Sequence, residues 1–305
     1  MAKTIEQAVK AYLIKEKSKL KQSTFSRYSF ICERHIIPYF QGIQLDQINN
    51  QTINDFIQYK LRRGGLRETS LSPKTVNDMV CLLTQIIKKH IQLDLDIEKP
   101  QYRQEEITVL ADPELNSLKS YLTIGTDSKK LGIFIAMLTG IRIGELCALK
   151  WENVDLEQGT IFINETMQRV KMTDNSSKRK TKIIIDTPKS PASIRRLPIP
   201  EILVATLRRF KADNDFFVLT NTKKYIEPRV YQRQFKSYLE ACSIRDYNFH
   251  VLRHTFATMA IAKGVDIKTL SVLLGHTDVS FTMKRYVHPN MEHKRLQIEK
   301  LAVGF

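Results

Sequence analysis

The chain has 305 residues, a length that favours two domains of ordinary size over one small module. Its 48 Lys and Arg residues outnumber 32 Asp and Glu, and the net charge of +16 favours a polyanionic partner, with nucleic acid as the first candidate. No apolar run approaches the roughly 20 residues that span a bilayer, and Glu6 interrupts the short apolar stretch at the start, so we expect no membrane segment, no secretory signal and a cytoplasmic location.

Residues 1–92 predict a compact domain made only of helices. The clearest start signals are Thr4 with Gln7, which form a capping-box pattern, and Ser72 before Pro73. Apolar residues recur at helical spacing behind both signals. Two further helices are predicted between them, over residues 23–35 and 52–63.

After residue 92 the helical pattern stops, and residues 93–107 predict a linker around Pro100. Residues 108–305 form the second predicted domain, which opens with a helix start at Asp112. Its middle contains short runs rich in Ile, Val and Thr that are typical of strands. These runs cover residues 159–164, 166–172, 182–186 and 194–199. Helical spacing returns at Pro200, so the predicted fold class is mainly α with a small antiparallel β-sheet, a helical domain followed by a mixed α+β domain.

The cysteines give no sign of a metal site or a disulfide framework. The four of them, Cys32, Cys81, Cys147 and Cys242, are far apart and form no C-x-x-C pair. We therefore predict buried, reduced thiols.

A first candidate cluster pairs Arg142 with Glu145, three residues apart and directly after Thr139-Gly140. On a helix the two side chains would share one face. Taken alone, this spacing is also typical of a surface ion pair, which stabilises a protein by only a few tenths of a kcal/mol.

A second cluster is His250-Val251-Leu252-Arg253-His254, at a predicted helix start. His250 and Arg253 would project together, as a shared phosphate requires. His254, four residues after His250, raises the question of a metal pair. The zinc-protease pattern needs Glu where Val251 stands, so we interpret His254 as a structural histidine.

A third cluster is Leu274-Gly275-His276, followed ten residues later by Tyr286 after Lys284 and Arg285. Nearby positive charge favours the phenolate and predicts a lowered pKa for the tyrosine. The alternative is a half-buried aromatic side chain with no chemical role.

Taken together and in this order, the clusters resemble the tyrosine recombinases, also called the phage integrase family. The resemblance rests on Thr-Gly-x-Arg-x-x-Glu at 139–145, His-x-x-Arg-His at 250–254, Leu-Gly-His at 274–276 and the closing Tyr286. It covers nearly the whole chain, as a helical core-binding domain over 1–92 and a catalytic domain over 108–305.

The resemblance implies a set of catalytic residues that needs neither a metal nor another cofactor. The set is Arg142, Lys189, His250, Arg253, His276 and Tyr286. Lys189 is the position implied for the family's lysine, and the following Ser193-x-Arg195 pattern supports it, while Lys180 and Lys182 are the alternatives. Tyr225, Tyr231, Tyr238 and Tyr247 precede His276 and do not fit the nucleophile's place.

The implied reaction cuts and rejoins DNA. Tyr286 would attack a phosphodiester and form a 3′-phosphotyrosyl link, with Arg142 and Arg253 holding the phosphate. Lys189 would protonate the leaving 5′-oxygen, His250 would help to accept the tyrosine's proton, and His276 would donate to the phosphate.

The implied partners are double-stranded recombination sites, further copies of the chain in a tetramer, and a directionality factor. Basic side chains of the front domain would contact DNA phosphates, as would the run 178–180 at a hairpin tip. These front-domain side chains are Lys17, Lys19, Lys21, Arg27, Arg62 and Arg63. The tail 291–305, with Leu296, Leu301, Val303 and Phe305, would dock either on its own catalytic domain or on a neighbouring subunit.

Three biological roles fit these residues. The long segment between Asn164 and Thr187 favours an integrase of a mobile element. An Xer-like chromosome-dimer resolvase has the same chemistry. A non-cleaving DNA-binding protein of the same fold is a third alternative, which the complete set of catalytic positions disfavours.

Overall fold

The computed structural model describes residues 4–65, 69–90, 95–102, 106–172 and 181–286, together with single positions of the tail, 291, 295, 298, 299 and 302. The chain forms two compact units. The first is Met1–Glu105 with Val170–Lys182, and the second is Glu106–Arg169 with Ile183–Phe305.

The first unit is a helical bundle, as its sequence predicts. Its α-helices are α1 (Ile5–Glu16), α2 (Gln22–Ile31), α3 (Ile37–Tyr39), α4 (Asn50–Arg63) and α5 (Pro73–Lys88). The capping box at Thr4 is confirmed, because Thr4 Oγ1 accepts from the Gln7 amide at 3.3 Å and Gln7 Oε1 accepts from the Thr4 amide at 3.4 Å. Ser72 likewise accepts from the Thr75 amide, at 3.3 Å, and caps α5.

The predicted helix over residues 23–35 has a break that the apolar spacing does not show. After α2 the chain forms a π turn, Cys32–Ile36, before α3, and the Ile37 amide donates to the Cys32 carbonyl five residues back. Pro38 has no amide hydrogen, so the regular bonding pattern cannot continue through it. The core of the unit lies where α1, α4 and α5 meet, with Val9, Phe56 and Leu83 fully buried. Each such side chain stabilises the fold by about 2 kcal/mol.

Val170–Lys182 groups with the first unit, although it lies within the segment 108–305 that the sequence assigns to the catalytic domain. Two contacts explain this grouping. Ser26 Oγ donates to the Lys171 carbonyl at 2.9 Å, and Lys171 Nζ lies 3.2 Å from the centre of the Phe30 ring. The run 178–180 at the predicted hairpin tip lies outside the described residues.

The second unit combines helices with two small sheets. Its helices are α6 (Asp112–Thr123), α7 (Ser128–Thr139), α8 (Ile143–Ala148), α9 (Glu201–Arg208), α10 (Pro228–Ala241), α11 (His250–Ala262), α12 (Ile267–Leu274) and α13 (Val279–Tyr286). The strands are β1 (Val154–Asp155), β2 (Thr160–Ile163), β3 (Thr166–Lys171), β4 (Thr181–Asp186) and β5 (Arg195–Pro198). The end of β3 and the start of β4 belong to Val170–Lys182 of the first unit, and the remaining strand residues belong to the second.

One sheet is antiparallel with the strand order β1-β2-β5, and β3 pairs with β4 in the other. Ile161 of β2 lies opposite Leu197 of β5, and both are buried, because alternate side chains of a strand face the core. The two residues of β1 are too few to show an alternating pattern in the sequence. The predicted class, mainly α with a small antiparallel sheet, is confirmed.

Helix α7 is central to the second unit and contacts α6, α8, α9 and α11. These helices fully bury three side chains of α7, those of Leu131, Ile135 and Ala136. Such an all-round apolar helix is typical of the centre of a domain, and α7 therefore provides a fixed base for the loop that follows it.

None of the helices in the described ranges has the length and apolar character needed to cross a membrane. Cys32 and Cys147 are buried, as predicted, whereas Cys242 is half-buried and Cys81 is exposed. The prediction is therefore wrong for Cys81, which lies on the solvent side of α5.

Candidate active site

Two helices of the second unit end at glycines whose carbonyls contact arginines. Gly140 ends α7 with φ of 64° and Gly275 ends α12 with φ of 66°, a left-handed conformation that favours glycine. The Gly140 carbonyl accepts from Arg253 Nη1 at 2.8 Å. The Gly275 carbonyl accepts from Arg142 Nη2 at 3.1 Å. These two turns bring residues that lie far apart in the sequence into one cluster.

Arg142 is the N-cap residue of α8 and is held by Glu145. The Glu145 carboxylate accepts from Arg142 Nη1 at 2.7 Å and from the Arg142 amide at 3.1 Å. The side chain of Glu145 is only 2% exposed, so this contact is not the surface ion pair that the spacing alone allows. Arg142 itself is half-buried, which leaves part of its guanidinium open to a ligand.

A third arginine, Arg195, completes this group, although its sequence pattern indicated no role in the site beyond supporting Lys189. Arg195 Nη1 and Nη2 lie 3.2 and 3.0 Å from the two oxygens of Glu145. Arg195 Nε also donates to the Leu273 carbonyl at 2.7 Å, which ties β5 to α12. Burial raises the pKa of Glu145, but the charge of Arg195 and its hydrogen bonds outweigh this and hold the pKa below its usual value.

Arg253 is the most buried cation of the cluster, with an exposed fraction of 2%. Its Nη2 donates to the Leu274 carbonyl at 2.6 Å and to His276 Nε2 at 2.9 Å. Burial, and then the charge of Arg142, lower the pKa of Arg253 to about 9. The group therefore stays cationic at neutral pH, and its fork can pair with two oxygens of a phosphate.

His276 is held in one tautomer by its neighbours. A guanidinium can only donate, so His276 Nε2 must accept from Arg253 and the ring proton lies on Nδ1. That proton is donated to Thr282 Oγ1, 2.7 Å away on α13. Burial, followed by the charges of Arg253 and Arg142, lowers the pKa of His276 to about 4, so the ring is neutral at pH 7.

Tyr286, the last residue of α13, lies at the edge of this cluster and is 8% exposed. Its hydroxyl oxygen is 2.9 Å from His254 Nδ1. Burial raises the pKa of the Tyr286 hydroxyl, although the charges of Arg253 and Arg285 act in the opposite direction. The predicted lowering is therefore wrong for this structure, because desolvation of the phenolate exceeds the effect of the cations.

His250 begins α11 and is exposed, with its ring edge-to-face against His254 at 4.5 Å between centroids. Desolvation on its protein side, followed by the charge of His254, lowers the pKa of His250 to about 3. In the part of the chain that the structure describes, no hydrogen bond joins His250 to Tyr286. The interpretation of His254 as purely structural does not account for its contact with the tyrosine.

Lys189 is exposed, in the loop between β4 and β5, and it makes no hydrogen bond or ion pair with another described residue. Its loop is nevertheless fixed to the site, because Ser193 Oγ donates to the Gly275 carbonyl at 3.3 Å and lies 3.0 Å from Ser190 Oγ. The alternative Lys182 is also exposed, and Lys180 lies outside the described residues.

The structure thus brings together Arg142, Arg253, His276 and Tyr286, with His250 one helical turn from His254, and leaves Lys189 nearby on a tethered loop. The charges of Arg253, Arg285 and Arg142 act on the Tyr286 hydroxyl, and the neighbouring histidines are neutral. The site therefore suits an anion with several oxygens. Within the described ranges there is no group of three or more His, Cys, Asp or Glu side chains that could hold a metal ion.

Comparison with known proteins agrees with this geometry. Residues 109–293 match the phage integrase family, and residues 4–61 match the phage integrase N-terminal SAM-like domain. Since the first match covers more than half of the chain, the chain belongs to the phage integrase family, the tyrosine recombinases.

Individual relatives include both integrases and Xer proteins. A XerC-like tyrosine recombinase of Caldanaerobacter subterraneus is 30% identical over 65% of this chain, a match that spans 54% of that protein's own length. The ICEBs1 integrase of Bacillus subtilis is 22% identical over 92% of this chain and 78% of its own.

Among solved structures, the integrase of transposon Tn1549 in complex with the transposon's right-end DNA has a TM-score of 0.77 and 20% identity, covering 98% of this chain and 99% of that one. Lambda integrase bound to a core site has a TM-score of 0.65 and 17% identity, over 93% and 77%. At 17–20% sequence identity, these structural similarities establish the fold alone.

Proposed function

We propose that this protein is a site-specific DNA recombinase that cuts and rejoins strands through a covalent link between Tyr286 and a 3′-phosphate. The observation that carries the proposal is the placement of the largely buried Tyr286 hydroxyl in contact with His254 and within the influence of the charges of Arg253, Arg285 and Arg142. Membership of the phage integrase family supports it. The bond energy kept in such a link lets strands rejoin without a nucleotide cofactor.

Arg142 and Arg253 hold the nonbridging oxygens of the phosphodiester in this proposal. Both side chains are aimed by backbone carbonyls, those of Gly275 and Gly140, and are therefore set before the DNA arrives. Phosphoryl transfer depends mainly on such positioning and on positive charge at the phosphate. Glu145 fixes Arg142 from the opposite side.

Lys189 protonates the leaving 5′-oxygen, since it is an exposed cation on a loop tied to Gly275.

His276 donates to the phosphate in the transition state. In the structure its Nε2 accepts from Arg253. With a phosphate paired to Arg253, the neutral ring takes the tautomer with its proton on Nε2, which donates to the phosphate, while Nδ1 accepts from the Thr282 hydroxyl. His250 is exposed and packs on the His254 ring, from where it assists proton transfer from the tyrosine.

We propose integration or excision of a mobile element as the biological role. Similarity to the ICEBs1 integrase and to the Tn1549 integrase, over nearly the whole chain, supports this role. Chromosome-dimer resolution is the second candidate, favoured by the 30% identity to the XerC-like protein. Recombination of the element's own ends, but not of a chromosomal resolution site, would distinguish the first role.

We also propose that the protein assembles as a tetramer on paired DNA sites in the cytoplasm, with a directionality factor selecting the reaction. Apolar side chains exposed on α12 and α13 support contact with another copy: Val272 at 61%, Val279 at 41%, Phe281 at 49% and Met283 at 55% exposure. The tail residues Leu296, Leu301, Val303 and Phe305 lie outside the described residues.

A denaturing gel tests the chemistry directly. Duplex from the flanks of the gene, carrying a nick that lets the cleaved end diffuse away, is incubated with the protein in the presence of EDTA. We expect a covalent protein–DNA adduct with the wild type and none with Tyr286→Phe, which binds the same duplex equally well. Bound duplex without any adduct would instead support the non-cleaving DNA-binding alternative.

A further inference from the structure

We propose that His254 is a further catalytic residue, which positions the Tyr286 hydroxyl and accepts its proton when the tyrosine attacks the phosphorus. The inference rests on the proposed function and adds a residue to the six that the motifs imply. It also assigns the acceptance of the tyrosine's proton to His254, the second histidine of α11, with His250 as its neighbour.

The contact between His254 and the reacting atom is direct. Nδ1 of His254 lies 2.9 Å from the Tyr286 hydroxyl oxygen, and the two ring centroids are 5.6 Å apart. His254 belongs to α11 and Tyr286 ends α13, so the bond joins two packed helices. A general base must lie within about 2.6–3.2 Å of the group it deprotonates, and His254 meets this condition before any DNA is bound.

His250 has a different place. It precedes His254 by one helical turn, and its ring packs edge-to-face on the His254 ring at 4.5 Å. As stated above, the described residues include no hydrogen bond between His250 and Tyr286. The three rings therefore form a row with His254 in the middle, and only the middle ring contacts the nucleophile.

The charges around His254 keep its ring neutral, and in the tautomer with the proton on Nε2 its Nδ1 accepts from the Tyr286 hydroxyl. The groups that face it are His250, Arg253, Arg285 and Tyr286. Burial, and then the charges of Arg285 and Arg253, lower the pKa of His254 to about 4, so the ring is neutral at pH 7. The raised pKa of Tyr286 means that little phenolate forms spontaneously, and a base in contact with the hydroxyl has a large effect.

The proposed step balances in protons and bonds. The Tyr286 O–H bond breaks, its proton passes to His254 Nδ1, and the phenolic oxygen forms a bond to phosphorus. The bond from phosphorus to the 5′-oxygen breaks, and that oxygen takes a proton from Lys189. In the rejoining step the attacking 5′-hydroxyl returns its proton to Lys189, the bond from phosphorus to the phenolic oxygen breaks, and the proton on His254 returns to the departing tyrosine. The bound phosphate offsets the positive charge that develops on His254.

Two substitutions separate positioning from proton transfer. His254→Ala removes the contact altogether. His254→Asn places an amide group close to the position of Nδ1, so it can still hydrogen-bond to the Tyr286 hydroxyl but cannot take up a proton at neutral pH. The rate of adduct formation on nicked duplex is measured for both variants under single-turnover conditions. Melting temperature and duplex affinity serve as checks, and His90→Asn, in the first unit, serves as control.

We expect His254→Ala to form the adduct about 100-fold more slowly than the wild type, with unchanged duplex affinity. His254→Asn should recover part of this loss. Between about pH 7 and about pH 9 the wild-type rate should be nearly constant, whereas the His254→Asn rate should rise roughly tenfold per pH unit, because solvent must then form the phenolate. His90→Asn should match the wild type.

Wild-type rates in both His254 variants would overturn the role of His254 and leave the proposed function intact. Equal losses in both variants with an unchanged pH profile would show a purely structural role and would also overturn it. If the wild type forms no adduct, or Tyr286→Phe still does, the proposed function itself fails, which is a distinguishable result.

Discussion

Glu145 is the residue on which the arrangement of the arginines depends most. Its buried carboxylate accepts from Arg142 on one side and from Arg195 on the other, at distances between 2.7 and 3.2 Å. The side chain of Arg195 is 4% exposed, so its charge has little access to water. Removing the carboxylate charge would leave a buried cation without compensation.

Glu145→Gln should therefore lower the free energy of unfolding by about 3 kcal/mol at pH 7. The pKa of Glu145 is lowered in the folded protein, so its contribution is present above the unfolded value near 4.3 and is lost as the pH falls through the folded pKa. Urea denaturation at pH 7 and at decreasing pH measures this. The difference between wild type and variant should shrink below about pH 4.3.

Glu240→Gln is the matched control, because Glu240 is exposed at the end of α10. It should change the free energy of unfolding by less than about 0.5 kcal/mol at either pH. A Glu145→Gln protein as stable as this control at pH 7 would contradict the structural role assigned to the carboxylate.

Short sequence motifs predict some residues of the site, whereas the contacts of other residues depend on packing between distant parts of the chain. Arg142, His250, Arg253, His276 and Tyr286 stand in short motifs, and family resemblance selects them. The contacts of Arg195 and His254 cannot be predicted in this way, because their partners, Glu145 and Tyr286, lie 50 and 32 residues away. The burial of Glu145 and the raised pKa of Tyr286 depend on the same distant packing.

At the scale of elements, the turn after α12 joins three parts of the site. The Gly275 carbonyl accepts from Arg142 and Ser193, and His276 follows directly. A Cβ at Gly275 would lie 2.9 Å from Arg195 Nη1 and 3.2 Å from the Ala192 carbonyl oxygen. Arg195 cannot move aside without losing its bonds to Glu145 and to the Ser193 carbonyl.

Gly275→Ala should therefore lower the free energy of unfolding by more than the cost of placing alanine in a left-handed conformation, because the added Cβ also crowds Arg195. That conformation costs a non-glycine residue about 1–2 kcal/mol. Gly264→Ala provides the control, since Gly264 has φ of 85° in the same unit and a Cβ there would meet nothing within 4 Å. We expect Gly275→Ala to be at least about 1 kcal/mol less stable than Gly264→Ala and to form the adduct much more slowly. Equal stability and activity of the two variants would count against the crowding at Arg195.

Helix and strand positions were largely predictable, because caps and periodicity are local. Thr4, Ser72 and the alternation around Ile161 each predicted the element that the structure contains. The π turn at Cys32–Ile36 and the two-residue strand β1 were not predicted. The π turn precedes Pro38, which lacks an amide hydrogen, and β1 has only two residues. Neither feature produces a recognisable spacing of apolar residues in the sequence.

At the scale of the whole molecule, the excess of basic residues suits a polyanion, but the structure does not leave every cation equally available. Lys17, Lys19, Arg62 and Arg63 are exposed on the first unit. Arg27, which the sequence also indicated as a DNA contact, forms an ion pair with Asp78. Val170–Lys182 groups with this unit because Lys171 contacts Ser26 and Phe30. These contacts join residues far apart in the sequence and could not be predicted from it.

Salt dependence of duplex binding should distinguish these cations. Each phosphate contact contributes about 0.9 to the slope of log affinity against log salt concentration. The double variant Arg62→Gln, Arg63→Gln should reduce that slope by about 2, whereas Arg27→Gln should leave it nearly unchanged. A slope that falls only in Arg27→Gln would assign the DNA contact to the opposite set of residues.

The proposed covalent bond between Tyr286 and DNA is best examined by locating the link. The trapped adduct is digested with nuclease and trypsin and analysed by mass spectrometry. Trypsin cuts after Arg285, so the peptide of residues 286–294 begins with Tyr286 and contains no other tyrosine. We expect residual nucleotide mass on this peptide, at Tyr286. The same mass on a peptide containing a different tyrosine, such as Tyr247, would contradict this expectation.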